Sequence, residues 1–149
     1  MEKKVRKPKP VFKDGAISAE SIGKSIANHQ SKVGIGGHSI FLGQVRADEI
    51  DGKTVAAIEF SAHEEMAQNE IFNIREETFE KFDLTCMHIY HSKGVVNVGE
   101  ICLFVFTSSA HRKECQAATD YIVEELKKRA TIFGREIFED ESHQWKVNN

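Results

Sequence analysis

Residues 101–138 read ICLFVFTSSAHRKECQAATDYIVEELKKRATIFGREIF, and the fold turns on how the apolar period changes along them. The run ICLFVFT is apolar at almost every position, which predicts a buried strand. Beyond Ala110 the apolar positions space out. Cys115, Ala118, Ile122 and Leu126 fall three or four residues apart, on one face of a long helix. TIFGREIFED then returns to a short β segment, and HQWKV adds another.

Upstream the same alternation of periods continues. SAESIGKSIANHQ (18–30) predicts a short helix with Ser18 as N-cap and Ile22 and Ile26 one turn apart. VGIGGHSIFLGQVR (33–46) is glycine-rich and β-like, and the Asp-Gly in DEIDGKT predicts a hairpin that returns through VAAIEFSA. HEEMAQNEIFNIREETFEKF (63–82) is an amphipathic helix with Ala67, Ile71, Ile74, Thr78 and Phe82 on one face. TCMHIYHS reads as a strand and KGVVNVGE as a turn-rich connection. The mixture of hairpins and crossovers predicts an α+β sandwich. Residues 1–13 hold both prolines and a basic cluster, and are expected to be a mobile arm or an edge segment. Residues 14–149 are expected to form a single domain.

Composition excludes several classes. A chain of 149 residues suits one domain with its own core, and a net charge of −3 argues against a nucleic-acid binder. No apolar run is long enough to span a bilayer and no signal-peptide core follows the basic start, so a cytoplasmic location is expected. The three cysteines, Cys86, Cys102 and Cys115, lack CxxC spacing, which argues against a disulfide framework.

Both ends of the second long helix are candidate sites. A helix N-terminus carries partial positive charge and favours anions, yet SSAHRK places His111, Arg112 and Lys113 there. Hydroxyls, imidazole, guanidinium and free N–H groups would together hold a phosphate or carboxylate. In the plainer alternative, Ser108 or Ser109 caps the helix and the cations are solvated. At the other end, Lys127, Lys128 and Arg129 complement the C-terminal dipole, although a lysine among apolar residues can also act as a base or nucleophile. Arg46, ending FLGQVR, either reaches a ligand or flanks a hairpin at the surface. His88 and His91, three apart on a strand, point to opposite faces, and the remaining histidines lack ligand spacing, so no metal site is expected.

Taken together, FLGQVR, IEFSAHEEMA, HSKGVVNVGE, TSSAHR and ELKKRATIFGREIFE…W resemble the large, catalytic subunit of molybdopterin synthase, from about residue 34 to Trp145. The resemblance implies an α/β hammerhead-type fold with an additional antiparallel β subdomain. It implies a sulfurtransferase that builds the dithiolene of molybdopterin on cyclic pyranopterin monophosphate, for molybdenum cofactor biosynthesis. The sulfur donor would be the thiocarboxylated Gly-Gly C-terminus of a small ubiquitin-like partner subunit. The assembly would be a heterotetramer around a central homodimer, and no cofactor is implied.

Carried over residue by residue, the resemblance makes Phe41 and Arg46 pterin-pocket residues, with Arg46 an anion ligand. His111 and Arg112 become a phosphate- or substrate-binding pair, Lys127 the lysine beside the inserted tail, and Glu136 a pocket glutamate. One position departs: the second lysine expected after the helix falls on Gly134. Either Arg135 supplies that charge through a local shift, or Lys128 or Lys146 substitutes, or the chain is a catalytically degenerate binding module that docks the tail or another anionic ligand. A helix of roughly 20 residues is about 30 Å long. His111 and Arg112 of one protomer are therefore expected to serve the pocket holding Lys127 of its partner.

Overall fold

The computed structural model describes residues 9–146. Among them the elements run β1 (Phe12–Asp14), α1 (Ala19–His29), β2 (Gly37–Gln44), β3 (Glu49–Ile50), β4 (Lys53–Ala62), α2 (Glu64–Lys81), β5 (Cys86–Asn97), β6 (Ile101–Ser109), α3 (Arg112–Arg129), β7 (Ile132–Phe138) and β8 (His143–Trp145). The sheet order is β2-β6-β5-β4-β7-β8, with β1 parallel to β5 and β3 beside β4. No helix among the described residues is long and apolar enough to cross a membrane.

The sheet has two halves joined by one strand. Residues 86–91 of β5 pair with β6, whereas residues 94–97 pair with β4. Gly94 marks the change with φ 84, a left-handed backbone that a side chain disfavours. In the first half β6 is covered on both sides, which explains its continuous apolar run. Leu103 and Val105 meet Ile71 and Ile74 of α2 and Ile122 and Leu126 of α3. Phe104 and Phe106 face the other way, against Ile17 and Ile22 of the α1 region. Burial of each such side chain contributes about 1.5–3 kcal/mol, so tertiary packing rather than intrinsic propensity holds these helices. The second half is the β subdomain, with Val45, Val55, Ile58, Val96 and Phe138 as its own core.

Local signals set the element ends. The Ser18 side chain accepts from the Ser21 N–H at 3.1 Å, capping α1. Asp51 and Gly52 have φ 52 and 78, the two positive values of a type I′ hairpin turn.

Three expectations need correction. The hairpin return, β4, finds only the two-residue β3 as its local partner, because β2 gives its ladder to β6 along its whole length, Gly37 to Gln44. KGVVNVGE is not mainly a connection: β5 extends to Asn97, since Val96 is buried in the subdomain core. The N-terminal arm cannot extend to residue 13, because Val11 is buried against α2 and α3 and Phe12–Asp14 pairs with β5. That segment is the edge element of the two alternatives. Residues 1–8 lie outside the described residues.

Candidate active site

A cleft of about 320 Å³ opens where the C-terminal end of α3 meets the β subdomain. The end of β2 and the residues after it bring Phe41 and Arg46, α3 brings Lys127, and β7 brings Gly134 and Glu136. Ile58 and Phe60 of β4, His91 of β5 and Cys102 of β6 form the walls, and Lys146, just past β8, completes the rim.

Strand parity selects these side chains. Gly134 and Glu136 share one face of β7, and across the β7–β8 pair Glu136 opposes Gln144, whose Nε2 donates to Glu136 Oε1 at 3.5 Å. Lys146 N–H donates to Gly134 O at 2.7 Å, so the next residue pair continues on that face. Glu136 is buried, a costly place for a carboxylate unless a polar partner serves it.

Burial shifts the proton equilibria of three cleft groups, Lys127, His91 and Cys102. Partial burial first, and the charge of Lys146 second, lower the Lys127 pKa from its ordinary value, with Cys102 opposing. His91 is pushed down to about 4 by burial. Its Nδ1–H donates to Ser92 O at 2.8 Å, which opposes that shift, and the Lys127 charge adds to it. The imidazole is therefore neutral at pH 7, and its Nε2 carries the lone pair. Burial raises the Cys102 thiol, so it remains protonated and a poor nucleophile.

The structure thus brings together Phe41, Arg46, Lys127 and Glu136 of the expected residues. Arg46 is held in an ion pair with Asp48 at 3.3 Å. Lys128, Arg135, His111 and Arg112 are not in the cleft lining. Arg135 is turned to the opposite face of β7, where it bonds Glu59, so no local shift brings it to the Gly134 position. His111 and Arg112 lie at the far end of α3, about 22–24 Å from Lys127 at 1.5 Å per residue. Both are exposed there, and their backbone carbonyls are tied into the first turn, His111 O accepting from Ser109 Oγ at 2.5 Å and Arg112 O from Cys115 Sγ at 3.3 Å. The cap position is His111, which makes no side-chain cap bond, and Ser109 Oγ bridges the first turn, accepting from Cys115 N–H at 3.1 Å. Ser108 instead shares a hydrogen bond with His38 Nδ1 at 2.7 Å. His88 points away from His91, to His29 at 2.9 Å between their Nε2 atoms.

Sequence reasoning did not single out His91 or Cys102 as cleft residues. For His91 the available signal is its parity with Ile89, which faces the α2–α3 side. Cys102 carries no comparable signal.

The family model described as MoaE protein matches residues 13–129. The chain belongs to the MoaE family. It is 40% identical over 110 residues to the molybdopterin synthase catalytic subunit of Pyrococcus abyssi, covering 74% of this chain and 73% of that one. Identity to the corresponding Bos taurus protein is 35% over 113 residues, 76% of this chain and 59% of the bovine length. Molybdopterin synthase from Staphylococcus aureus superposes with a TM-score of 0.78 at 27% identity, over 92% of this chain and 96% of that one. Arg46 and Lys127 fall inside the span matched by the MoaE family, whereas Gly134, Glu136 and Lys146 lie beyond it.

Proposed function

We propose that this MoaE-family chain is the catalytic subunit of a molybdopterin synthase, transferring sulfur from the thiocarboxylated C-terminus of a ubiquitin-like partner to cyclic pyranopterin monophosphate. The observation that carries this reading is the convergence of Lys127, Arg46, Phe41 and Glu136 on one cleft. An aromatic ring at the mouth suits a flat pterin, and cations suit a phosphate and a thiocarboxylate.

In each transfer the acyl C–S bond of the tail and a C–O bond of the precursor break, a C–S bond to the pterin side chain forms, the precursor oxygen leaves protonated, and water supplies the oxygen that closes the acyl carbon. The acyl carbon takes an oxygen in exchange, so the tail leaves as a carboxylate with no change of oxidation level. Two such exchanges build one dithiolene. Lys127 orients the thiocarboxylate and stabilises the charge that develops on its oxygen. The sulfur arrives on the partner, so the protonated thiol of Cys102 has no nucleophilic part.

The distance between the ends of α3 supports a homodimer in which His111 and Arg112 of one protomer complete the pocket of its partner, with a small subunit at each end of the tetramer. The second reading, a degenerate binding module, is favoured by Gly134 alone. Purified chain, thiocarboxylated partner and precursor are mixed and molybdopterin is measured. Product is expected from the wild type and from Cys102→Ala, and none from Lys127→Ala. Tight binding of the partner tail without product at long times would establish the binding module instead.

A further inference from the structure

We infer that Lys146, delivered by the β7–β8 hairpin, is a second cation of the cleft that contacts the carboxylate-type terminus bound beside Lys127. The inference rests on the reading of the cleft given above and adds a residue to it.

Three observations carry it. The backbone bond from Lys146 N–H to Gly134 O at 2.7 Å fixes residue 146 directly across from residue 134. Gly134 leaves room for the lysine stem: a β-carbon there would stand 3.7 Å from Lys146 Cβ and already press on Ile58 Cγ2 at 3.1 Å. Finally, Lys127 and Lys146 line the same cleft, and neither forms an ion pair with a described carboxylate within 4.0 Å. Two unpaired ammonium groups facing one cleft repel each other. An anionic group between them removes that repulsion and forms charge-assisted hydrogen bonds. The depressed pKa of Lys127, for which Lys146 is the second cause, is consistent with this proximity.

On the proposed reading Lys127 orients the thiocarboxylate, so the anion between Lys127 and Lys146 is the tail terminus. The test uses the full chain and a synthetic peptide ending in Gly-Gly with a free carboxylate, alongside the same peptide amidated and inorganic phosphate. Lys146→Gln is expected to weaken the free-carboxylate peptide about tenfold. It should leave phosphate affinity unchanged and abolish the preference over the amidated peptide, and Lys146→Arg restores both the affinity for the free-carboxylate peptide and that preference. In parallel, competitive acetylation read by mass spectrometry follows the Lys127 amine. Its titration moves to higher pH in Lys146→Gln, a change that a purely structural role of the hairpin would not produce. Unchanged peptide affinity and unchanged Lys127 titration in Lys146→Gln overturn the inference, as does a loss confined to phosphate. If Lys127→Ala abolishes product while Lys146→Gln alters neither readout, only this inference fails. If Lys127→Ala still makes product, the parent reading fails.

Discussion

Gly36 lies so close to Ala110 that a β-carbon on residue 36 would sit 2.0 Å from the Ala110 carbonyl oxygen. Around this contact, Gly36 N–H donates to Ser109 O at 2.9 Å, and Ser109 Oγ donates to His111 O at 2.5 Å while accepting from Cys115 N–H. The loop before β2, the end of β6 and the first turn of α3 are therefore one unit, and that unit aims His111 and Arg112. Gly36→Ala should cost about 1–3 kcal/mol by overpacking. Gly37→Ala should cost much less, because its β-carbon would meet Arg112 Cα at an ordinary 3.5 Å. Urea unfolding of both variants checks the difference, and equal costs would contradict it.

Arg129 clamps α3 to α2 two residues beyond Lys127. Its guanidinium bonds both Glu77 oxygens, at 2.5 and 3.0 Å, and Glu70 at 2.6 Å. The Arg129 hydrogen bond, together with one from Tyr121, lowers the Glu77 pKa against a smaller opposing effect of burial. The pair is partly solvated, so Arg129→Met should cost only about 1 kcal/mol, lowering Tm by roughly 2–4 °C. The Glu77 contribution is present above its ordinary pKa of 4.5 and is lost as pH falls below it. Calorimetry at pH 7 and pH 3 should therefore show a smaller difference between wild type and Arg129→Met at the lower pH.

His88 and His91 give the fold a second, distinct pH dependence. Burial holds both at about 4 against an ordinary 6.5, and the charge of His29 adds to the shift at His88. Between those values the unfolded chain takes up protons that the folded chain does not. Stability is thus full above pH 6.5 and declines as pH falls toward 4. His29 Nδ1–H donates to Ser25 O at 2.6 Å, which leaves its Nε2 to accept from His88. His88→Gln retains a donor for that bond and cannot titrate. It should flatten the fall in Tm between pH 6.5 and 5, and an unchanged slope would rule His88 out as a contributor.

Shared pockets predict complementation. Lys127→Ala and Arg112→Ala should each be inactive as homodimers. Mixing them after subunit exchange should recover about a quarter of wild-type sites, because half the dimers are mixed and each mixed dimer rebuilds one intact pocket. Absence of recovery despite exchange would place both residues in the same protomer's pocket.

The helices were legible because burial leaves a periodic trace. Ala67, Ile71, Ile74 and Thr78 on α2, and Cys115, Ala118, Ile122 and Leu126 on α3, are buried as their spacing indicates. Ser18 and the Asp51-Gly52 turn were legible because their side-chain and backbone chemistry is local. The full length of β5 was not, since residues 94–97 become a strand only through pairing with β4, and Val11 is buried only because α2 and α3 converge over it. The same divide runs through the cleft. The resemblance pointed to Arg46, Phe41, Lys127 and Glu136, with Lys146 one of several candidates for the missing charge, but the meeting of His91 and Cys102 in that cleft depends on strand order, which no local pattern encodes.

Residues 134 and 146 are twelve positions apart along the chain yet neighbours across the β7–β8 pair. A charge needed at that point of the surface can be encoded at either position, and a hairpin gives natural selection two addresses for one location. The resemblance expects a lysine at residue 134. In the proposed cleft, Lys146 offers that charge from across one backbone hydrogen bond.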